Sequence, residues 1–399
     1  MFKGALPGFR DFYPQELAER AFIMNTWREV ARRYAFVEYD GPPLEPLDLY
    51  TKKSGDEIVG QLYNFVDKGG RDVALRPEMT PTVARMVAAR ANALRKPVRW
   101  FSMPQLFRYE RQQKGRLREH YQLNVDIFGS SDVAADAELV ACAVDMMRAF
   151  GLTSADVVVR VSDRRILQSF LASYGIADGA MAEVYQIIDK LERTPRDVSG
   201  EKLAALGVSA EAIERIVTIA DVEFDELRER TGPTQEVLEF DRFRRYVPAL
   251  LGGDASWLRL DLSIVRGLAY YTGIVFELFD RSGEFRAICG GGRYDTLLDS
   301  LGGTDMPALG FGMGDVVLGE LLRAKGLMTP PDSAADYWIA ADEATPLERV
   351  LTEVSRLRGT GRSVEYALRA QSLNKQKKAA QVSGAKEFVT LSNDDASNG

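Results

Sequence analysis

Between Trp100 and Gly129 the chain reads WFSMPQLFRYERQQKGRLREHYQLNVDIFG, and within it Gln122, Asn124 and Asp126 alternate with Leu123, Val125 and Ile127. Alternation with period two places the polar set on one face of a strand and the apolar set on the other. A sheet must bury one side of this strand, and whatever covers the other side meets a row of hydrogen-bonding groups. Upstream, the apolar run from Trp100 to Phe107 reads as a buried strand. Arg108, Glu110 and Arg111 follow, and Gln112 to Leu117, with Lys114, Gly115 and Arg116, reads as a basic turn. The resulting hairpin sets a polar floor beside a basic rim. A small polar substrate suits the floor, and a polyphosphate or a nucleic-acid end suits the rim. An ordinary hairpin with charged edges that block aggregation has the same local pattern.

The chain contains a single His and two Cys, Cys142 and Cys289. Zinc sites combine several such ligands, so a structural zinc site from His and Cys is excluded as a working reading. A Ser-His-Asp or Cys-His mechanism would have to use His120, which we place on the strand face opposite the polar row, in a structural or rim role. The cysteines form neither a disulfide framework nor a CxxC pair, which fits a reducing cytoplasm. No signal peptide is expected at Met1–Arg20, and no apolar run reaches the roughly 20 residues of a membrane helix. The net charge of −7 argues against non-specific coating of nucleic acid. It leaves room for local basic patches, and Arg111–Arg118 and Lys375–Lys378 are the two that stand out.

At 399 residues the chain has length for two or three domains. Glu16–Tyr34 has helical spacing, Phe36–Tyr39 is a short strand, and Tyr63–Val66 and Val73–Leu75 form a hairpin. Arg76-Pro77-Glu78-Met79-Thr80-Pro81 marks a strand-to-helix junction. It can aim Glu78 and Thr80 into a pocket, or Thr80 can simply cap the helix with Pro81 in its first turn. Val133–Phe150 is a helix and Val157–Val161 a strand. Residues 164–246 read as a helical insertion. Trp257–Leu262 returns to strand, followed by IVRGLAYYTGIVFE from Ile264. RAICGGGRYD then holds three consecutive glycines, which let backbone approach something closely, although read alone they could be a bulge or tight turn. ALGFGMGDVVLGELL reads as a glycine-rich strand running into a helix. Residues 326–333 form a linker, and strands alternating with helices beyond it make a small α/β unit.

FRYERQQKGRLREHYQ resembles motif two of the class II aminoacyl-tRNA synthetases in its histidyl form. RGLAYYTGIVFE and CGGGRYD resemble the two histidine-specific segments of histidyl-tRNA synthetases. LRPEMT, GFRDFYP and GPPLEP resemble other signatures of that family, the last being motif one. LNKQKKAAQVSGA is similar to part of its anticodon-binding domain. The resemblance covers nearly the whole chain in order. It implies an α+β fold: a class II antiparallel sheet flanked by helices, with a helical insertion and a short C-terminal α/β domain. The expected domains are a catalytic core in two parts, 1–163 and 247–325, the insertion 164–246, the linker 326–333, and an anticodon-binding-like unit 334–399.

The implied activity is that of a histidine–tRNA ligase. L-Histidine is activated with ATP and Mg2+, then transferred to tRNA(His), by a cytoplasmic homodimer without membrane attachment. The resemblance puts Glu78, Thr80 and Gln122 around the substrate amino group. Asp126 and Tyr271 fall near the imidazole, with Tyr270 and Tyr294 lining the pocket. Arg108 and Arg266 would grip the α-phosphate as the catalytic cations, and Glu110 would orient the adenine. Gln112, Gln113, Lys114 and Arg116 would meet the tRNA acceptor end, and Pro42 would lie at the dimer interface. The sequence departs from the pattern at Val317, where motif three commonly has Arg. Ala269 stands where Asp is common, and Asp126 where many members have Glu. The C-terminal unit also ends early. These departures keep a second reading in view, a catalytically inactive, histidine-sensing regulatory paralogue of ATP phosphoribosyltransferase. A third, a non-enzymatic RNA-binding protein, leaves the acidic and tyrosine-lined pocket unexplained.

Overall fold

A computed structural model describes residues 4–51, 59–110, 117–265, 270–330 and 334–392. The chain divides into two compact units, Met1–Thr329 and Pro330–Gly399. The first contains β1 (Val37–Glu38), β2 (Leu44–Pro46), β3 (Tyr63–Val66), β4 (Asp72–Leu75), β5 (Val98–Ser102), β6 (Gln105–Phe107) and β7 (Glu119–Phe128). It continues with β8 (Val157–Asp163), β9 (Leu258–Leu260), β10 (Ile274–Asp280), β11 (Cys289–Arg293) and β12 (Ala308–Gly314). Nine of these form one sheet in the order β1-β5-β7-β12-β11-β10-β8-β9, with β6 also paired to β7. Its pairings are antiparallel except β1 with β5 and β8 with β9. A smaller sheet has the order β2-β4-β3.

The alternation in β7 does what period two requires. Leu123, Val125 and Ile127 enter the main apolar cluster, together with Trp27 and Val30 of the helix Pro14–Arg33 and Val140 and Val144 of the helix Ala134–Ala149. Phe128, on the other face, joins a second cluster that includes Tyr270, Tyr271 and Tyr294. The run from Trp100 to Phe107 is not one strand. It breaks at Met103-Pro104 into β5 and β6, which pair with different stretches of β7. Proline has no N–H to give to the ladder, but its carbonyl still accepts from Gln122 N at 3.1 Å.

The glycine run is also not a turn. Gly290, Gly291 and Gly292 lie inside β11, between β10 and β12. A Cβ on Gly291 would sit 2.3 Å from Gly310 O, and one on Gly292 2.6 Å from Ile274 O. The glycines allow close strand packing rather than chain reversal.

Between β8 and β9 the described elements are all helical, ending with Gln235–Leu250. Asp163 opens this stretch by accepting from Arg165 N and Ile166 N as an N-cap. Phe170, Leu203, Phe240 and Phe243 from these helices share one apolar cluster with Val159 and Leu278 of the sheet. The helical segment is therefore packed into the core of the unit.

The second unit has a parallel sheet, β14 (Val364–Tyr366), β13 (Tyr337–Ala341) and β15 (Glu387–Leu391) in that order, with helices Leu347–Gly359 and Leu373–Ser383. In the second of these helices, Gln376 is buried and exchanges bonds with Ala341, Nε2 donating to its carbonyl at 2.8 Å and Oε1 accepting from its N–H at 3.3 Å. Lys375, Lys377 and Lys378 on the same helix are exposed.

Candidate active site

Glu78 sits on the short link between β4 and the helix Thr80–Ala88. The link is pinned by buried Arg76, which donates to Gln105 O at 3.0 Å and Gly41 O at 2.7 Å. Thr80 does not cap the helix. Met79 holds the N-cap position without a side-chain bond, and Pro81 occupies the first turn. The Thr80 hydroxyl instead lies against Tyr270, whose own hydroxyl donates to Glu78 Oε2 at 3.1 Å. Glu78 is 4 % exposed.

The polar wall continues through aromatic contacts. Tyr270 meets Tyr271 at 5.0 Å and Tyr294 edge-on at 5.8 Å between ring centroids. Tyr294 donates to Asp126 Oδ1. Burial raises the pKa of both Tyr270 and Tyr294, so each phenol remains a donor. The same burial pushes the Asp126 carboxyl up to about 7, against the opposing effect of the Tyr294 bond. Asp126 Oδ2 has no hydrogen-bond partner among the described residues. Such an oxygen is an acceptor waiting for a donor. Glu78, Thr80, Tyr270, Tyr294 and Asp126 are thus joined in one chain of contacts, with the Tyr271 ring tilted against Tyr270.

The floor under these groups is glycine. A Cβ on Gly310 would fall 2.2 Å from Asp126 Oδ1, and one on Gly312 2.8 Å from the Gln122 amide. The register explains this, because Asp126 faces Gly310 directly across β7 and β12, while Gln122, which faces Gly314, reaches diagonally over Gly312.

Next to Gln122 opens a cleft of about 210 Å³ lined by Arg108, Glu110, His120, Val317 and the glycines of β11 and β12. Arg108 Nε donates to Pro77 O at 2.9 Å, which ties the cleft to the Glu78 link. The expectation that His120 faces away from the polar row is wrong. Positions 120, 122, 124 and 126 share parity, so His120 stands in line with Gln122 and lines the cleft beside it. Burial, with Arg108 and Arg10 nearby, lowers its pKa to about 3, so the ring is neutral. Val317 also lines this cleft, so the position adds an apolar wall and no cation.

One organising residue escaped the sequence reading. Arg10 of GFRDFYP donates to Glu119 Oε1 at 2.6 Å and to Asp315 Oδ2 at 2.9 Å. Asp315 in turn accepts from Tyr121 N at 2.9 Å. The N-terminal segment therefore clamps the start of β7 to the helix that follows β12. Pro42 is exposed between β1 and β2. Arg266 and Ala269, and also Gln112, Gln113, Lys114 and Arg116, lie outside the described residues. Among the described residues, no group of three or more His, Cys, Asp or Glu side chains is placed to hold a metal ion.

The chain can be set beside known proteins. The histidyl-tRNA synthetase family profile matches residues 8–314. A histidine–tRNA ligase of Opitutus terrae is 44% identical over 390 residues, covering 96% of this chain and 89% of that protein. A histidyl-tRNA synthetase structure from Nostoc sp. PCC 7120 superposes with a TM-score of 0.83 at 23% identity, covering 99% of this chain and 94% of the other. A Bacillus halodurans structure titled as an ATP phosphoribosyltransferase regulatory subunit/histidyl-tRNA synthetase superposes at 0.79 with 20% identity, covering 98% of each chain. At those identities the two structures speak for the fold alone. The profile match and the full-length similarity go further: the chain belongs to the histidyl-tRNA synthetase family.

Proposed function

We propose that this chain activates L-histidine with ATP and transfers the histidyl group to tRNA(His). In the first step a histidine carboxylate oxygen attacks the α-phosphorus, the bond to the bridging oxygen breaks, and pyrophosphate leaves. In the second a terminal ribose hydroxyl attacks the acyl carbon and AMP departs. The observation that carries this reading is Asp126. One of its oxygens is held by Tyr294 and the other has no hydrogen-bond partner among the described residues, beside a buried cluster of tyrosines and on the same strand as Gln122, which lines the cleft with the Arg108 guanidinium. An imidazole N–H meets a free carboxylate oxygen well, and a site built for such a bond rejects analogues that lack the donor.

Glu78 and Thr80 supply acceptors for the substrate ammonium, with Gln122 between pocket and cleft. Arg108, and Arg266 outside the described residues, stabilise the charge that develops on the α-phosphate; this is electrostatic rather than acid–base catalysis. Glu110 orients the adenine. The neutral ring of His120 adds a stacking surface in the same cleft. Mg2+ would arrive on the ATP phosphates and offset their charge, since no acidic cluster among the described residues provides a resident site. Gln112, Gln113, Lys114 and Arg116 take the acceptor end. Pro42 belongs to a homodimer contact, and the compartment is cytoplasmic. Among the described residues no helix is long and apolar enough to cross a membrane.

Histidine-dependent ATP–pyrophosphate exchange tests the assignment. Exchange specific to histidine is expected. Its absence, with histidine still bound, would overturn the catalytic assignment and favour the sensing role.

A further inference from the structure

The side-chain end of the pocket contains two hydroxyls without a role so far. β1 lies parallel to β5 with Val37 beside Trp100 and Glu38 beside Phe101, so Tyr39 falls next in line, beside Ser102. Tyr39 N–H donates to Phe101 O at 2.9 Å, and its ring packs on Trp100 at 5.4 Å between centroids. β5 in turn sets Ser102 opposite Asn124 and Trp100 opposite Asp126. Cross-strand partners carry their side chains on one face of the sheet. Tyr39, Ser102 and Asp126 therefore converge from three adjacent strands or strand ends.

The Tyr39 hydroxyl lies beside Ser102 and within electrostatic reach of Asp126 and Tyr294. Even so, the Tyr39 hydroxyl, Ser102 Oγ and Asp126 Oδ2 are all buried; the two hydroxyls touch each other without well-formed hydrogen-bond geometry, and Asp126 Oδ2 has no hydrogen-bond partner among the described residues. Buried polar atoms are ordinarily bonded, and each exception calls for an explanation. Asp126 itself has little room to turn, because Tyr294 holds Oδ1 and the Gly310 backbone is packed against it. A buried water that makes about three bonds would satisfy these three groups at once.

We propose that Tyr39 and Ser102 are positioning residues for imidazole recognition: with one shared water, their hydroxyls hold the free oxygen of Asp126 where a ring N–H of histidine meets it. The proposal rests on the assignment of this pocket to histidine. It adds a source of specificity that comes from the β1 side of Asp126.

The test uses the full chain and histidine-dependent ATP–pyrophosphate exchange. Tyr39→Phe and Ser102→Ala each remove one oxygen, and Ser102→Thr keeps a hydroxyl. Thermal unfolding serves as the folding control. The two deletions should each raise the KM for histidine about tenfold, the equivalent of ~1.4 kcal/mol, with the KM for ATP within about twofold of the unaltered chain. Inhibition by β-(2-thienyl)alanine, which has the ring shape without N–H donors, should hold steady. Ser102→Thr should restore the histidine KM. An unchanged histidine KM in both deletions would overturn the proposal. Equal losses for histidine, ATP and the thienyl analogue would also overturn it, since they indicate packing alone. Absence of histidine-dependent exchange in the unaltered chain would instead remove the pocket assignment, and this inference with it.

Discussion

Asp126 keeps its proton at pH values where an exposed carboxylate has lost it, because burial raises its pKa from 3.8 to about 7. Between those values the folded chain holds a proton that the unfolded chain has released. Stability from this group is therefore fully present below 3.8 and declines as pH rises toward about 7. Asp136, buried beside Arg293, contributes with the same sign up to about 6. His120 opposes both: its contribution is present above 6.5 and is lost as pH falls toward about 3. A pH curve of the whole chain mixes these signs, so the difference between variants is the useful quantity. The thermal midpoint of the ligand-free chain minus that of Asp126→Asn should fall between pH 4 and pH 7. A difference that is flat over that window would mean Asp126 is ionised in the folded state throughout. Arg108 gives a second prediction at this scale. Removing one preorganised donor to a developing charge typically slows the chemical step by about 10²–10³-fold. Arg108→Ala should slow pyrophosphate exchange by that order while calorimetry finds histidine binding nearly intact; equal damage to both would contradict its role at the phosphate.

At the scale of strands, the glycines of β11 and β12 do two separable jobs. Gly291 makes room for backbone, since a Cβ there would sit 2.3 Å from Gly310 O, which cannot yield without moving a strand. Gly312 makes room for a side chain, because its Cβ would meet only the end of Gln122, at 2.8 Å. Gly291→Ala should therefore destabilise the chain by roughly 1–3 kcal/mol, the range for overpacking, as measured by denaturant unfolding. Gly312→Ala should unfold nearly as the unaltered chain does but raise the KM for histidine in the exchange assay. The reverse pattern would show that the close approaches have been assigned to the wrong strands. The same two strands show what could be read in advance. The alternation of β7 is local, so its polar face was legible, and extending the same count by two residues would have put His120 beside Gln122. The break at Pro104 follows from a missing N–H and was equally open to reading. The three glycines of β11 were legible as a close backbone approach but not as a strand, because what they approach is unknown until the neighbours β10 and β12 are. Arg10 was not legible, because its bond to Asp315 joins opposite ends of the unit and leaves no local pattern. The pocket residues were legible mainly because the motifs that carry them resemble a known family.

At the scale of the whole chain, the two units have separate interiors. The two large apolar clusters draw only on residues before Thr329, and the two small ones only on residues after Pro330. The pocket and the cleft lie wholly in the first unit, with Glu78, Arg108, Asp126, Tyr270 and Tyr294 all before Thr329. Histidine activation needs only these groups, whereas charging also needs the tRNA to be held. The second unit offers Lys375, Lys377 and Lys378 on an exposed helix face that Gln376 fastens to β13. A chain ending at Thr329 should therefore keep histidine-dependent pyrophosphate exchange within a few-fold and lose most of its tRNA charging. Binding that runs through phosphates weakens steeply with salt. Charging by the full chain should accordingly fall faster with ionic strength than exchange does, and Lys375→Ala, Lys377→Ala and Lys378→Ala combined should lessen that slope. If the shortened chain charges tRNA as well as the full one, RNA recognition belongs to the first unit alone. If it loses exchange as well, the second unit supports the pocket by a route that the separate cores do not reveal.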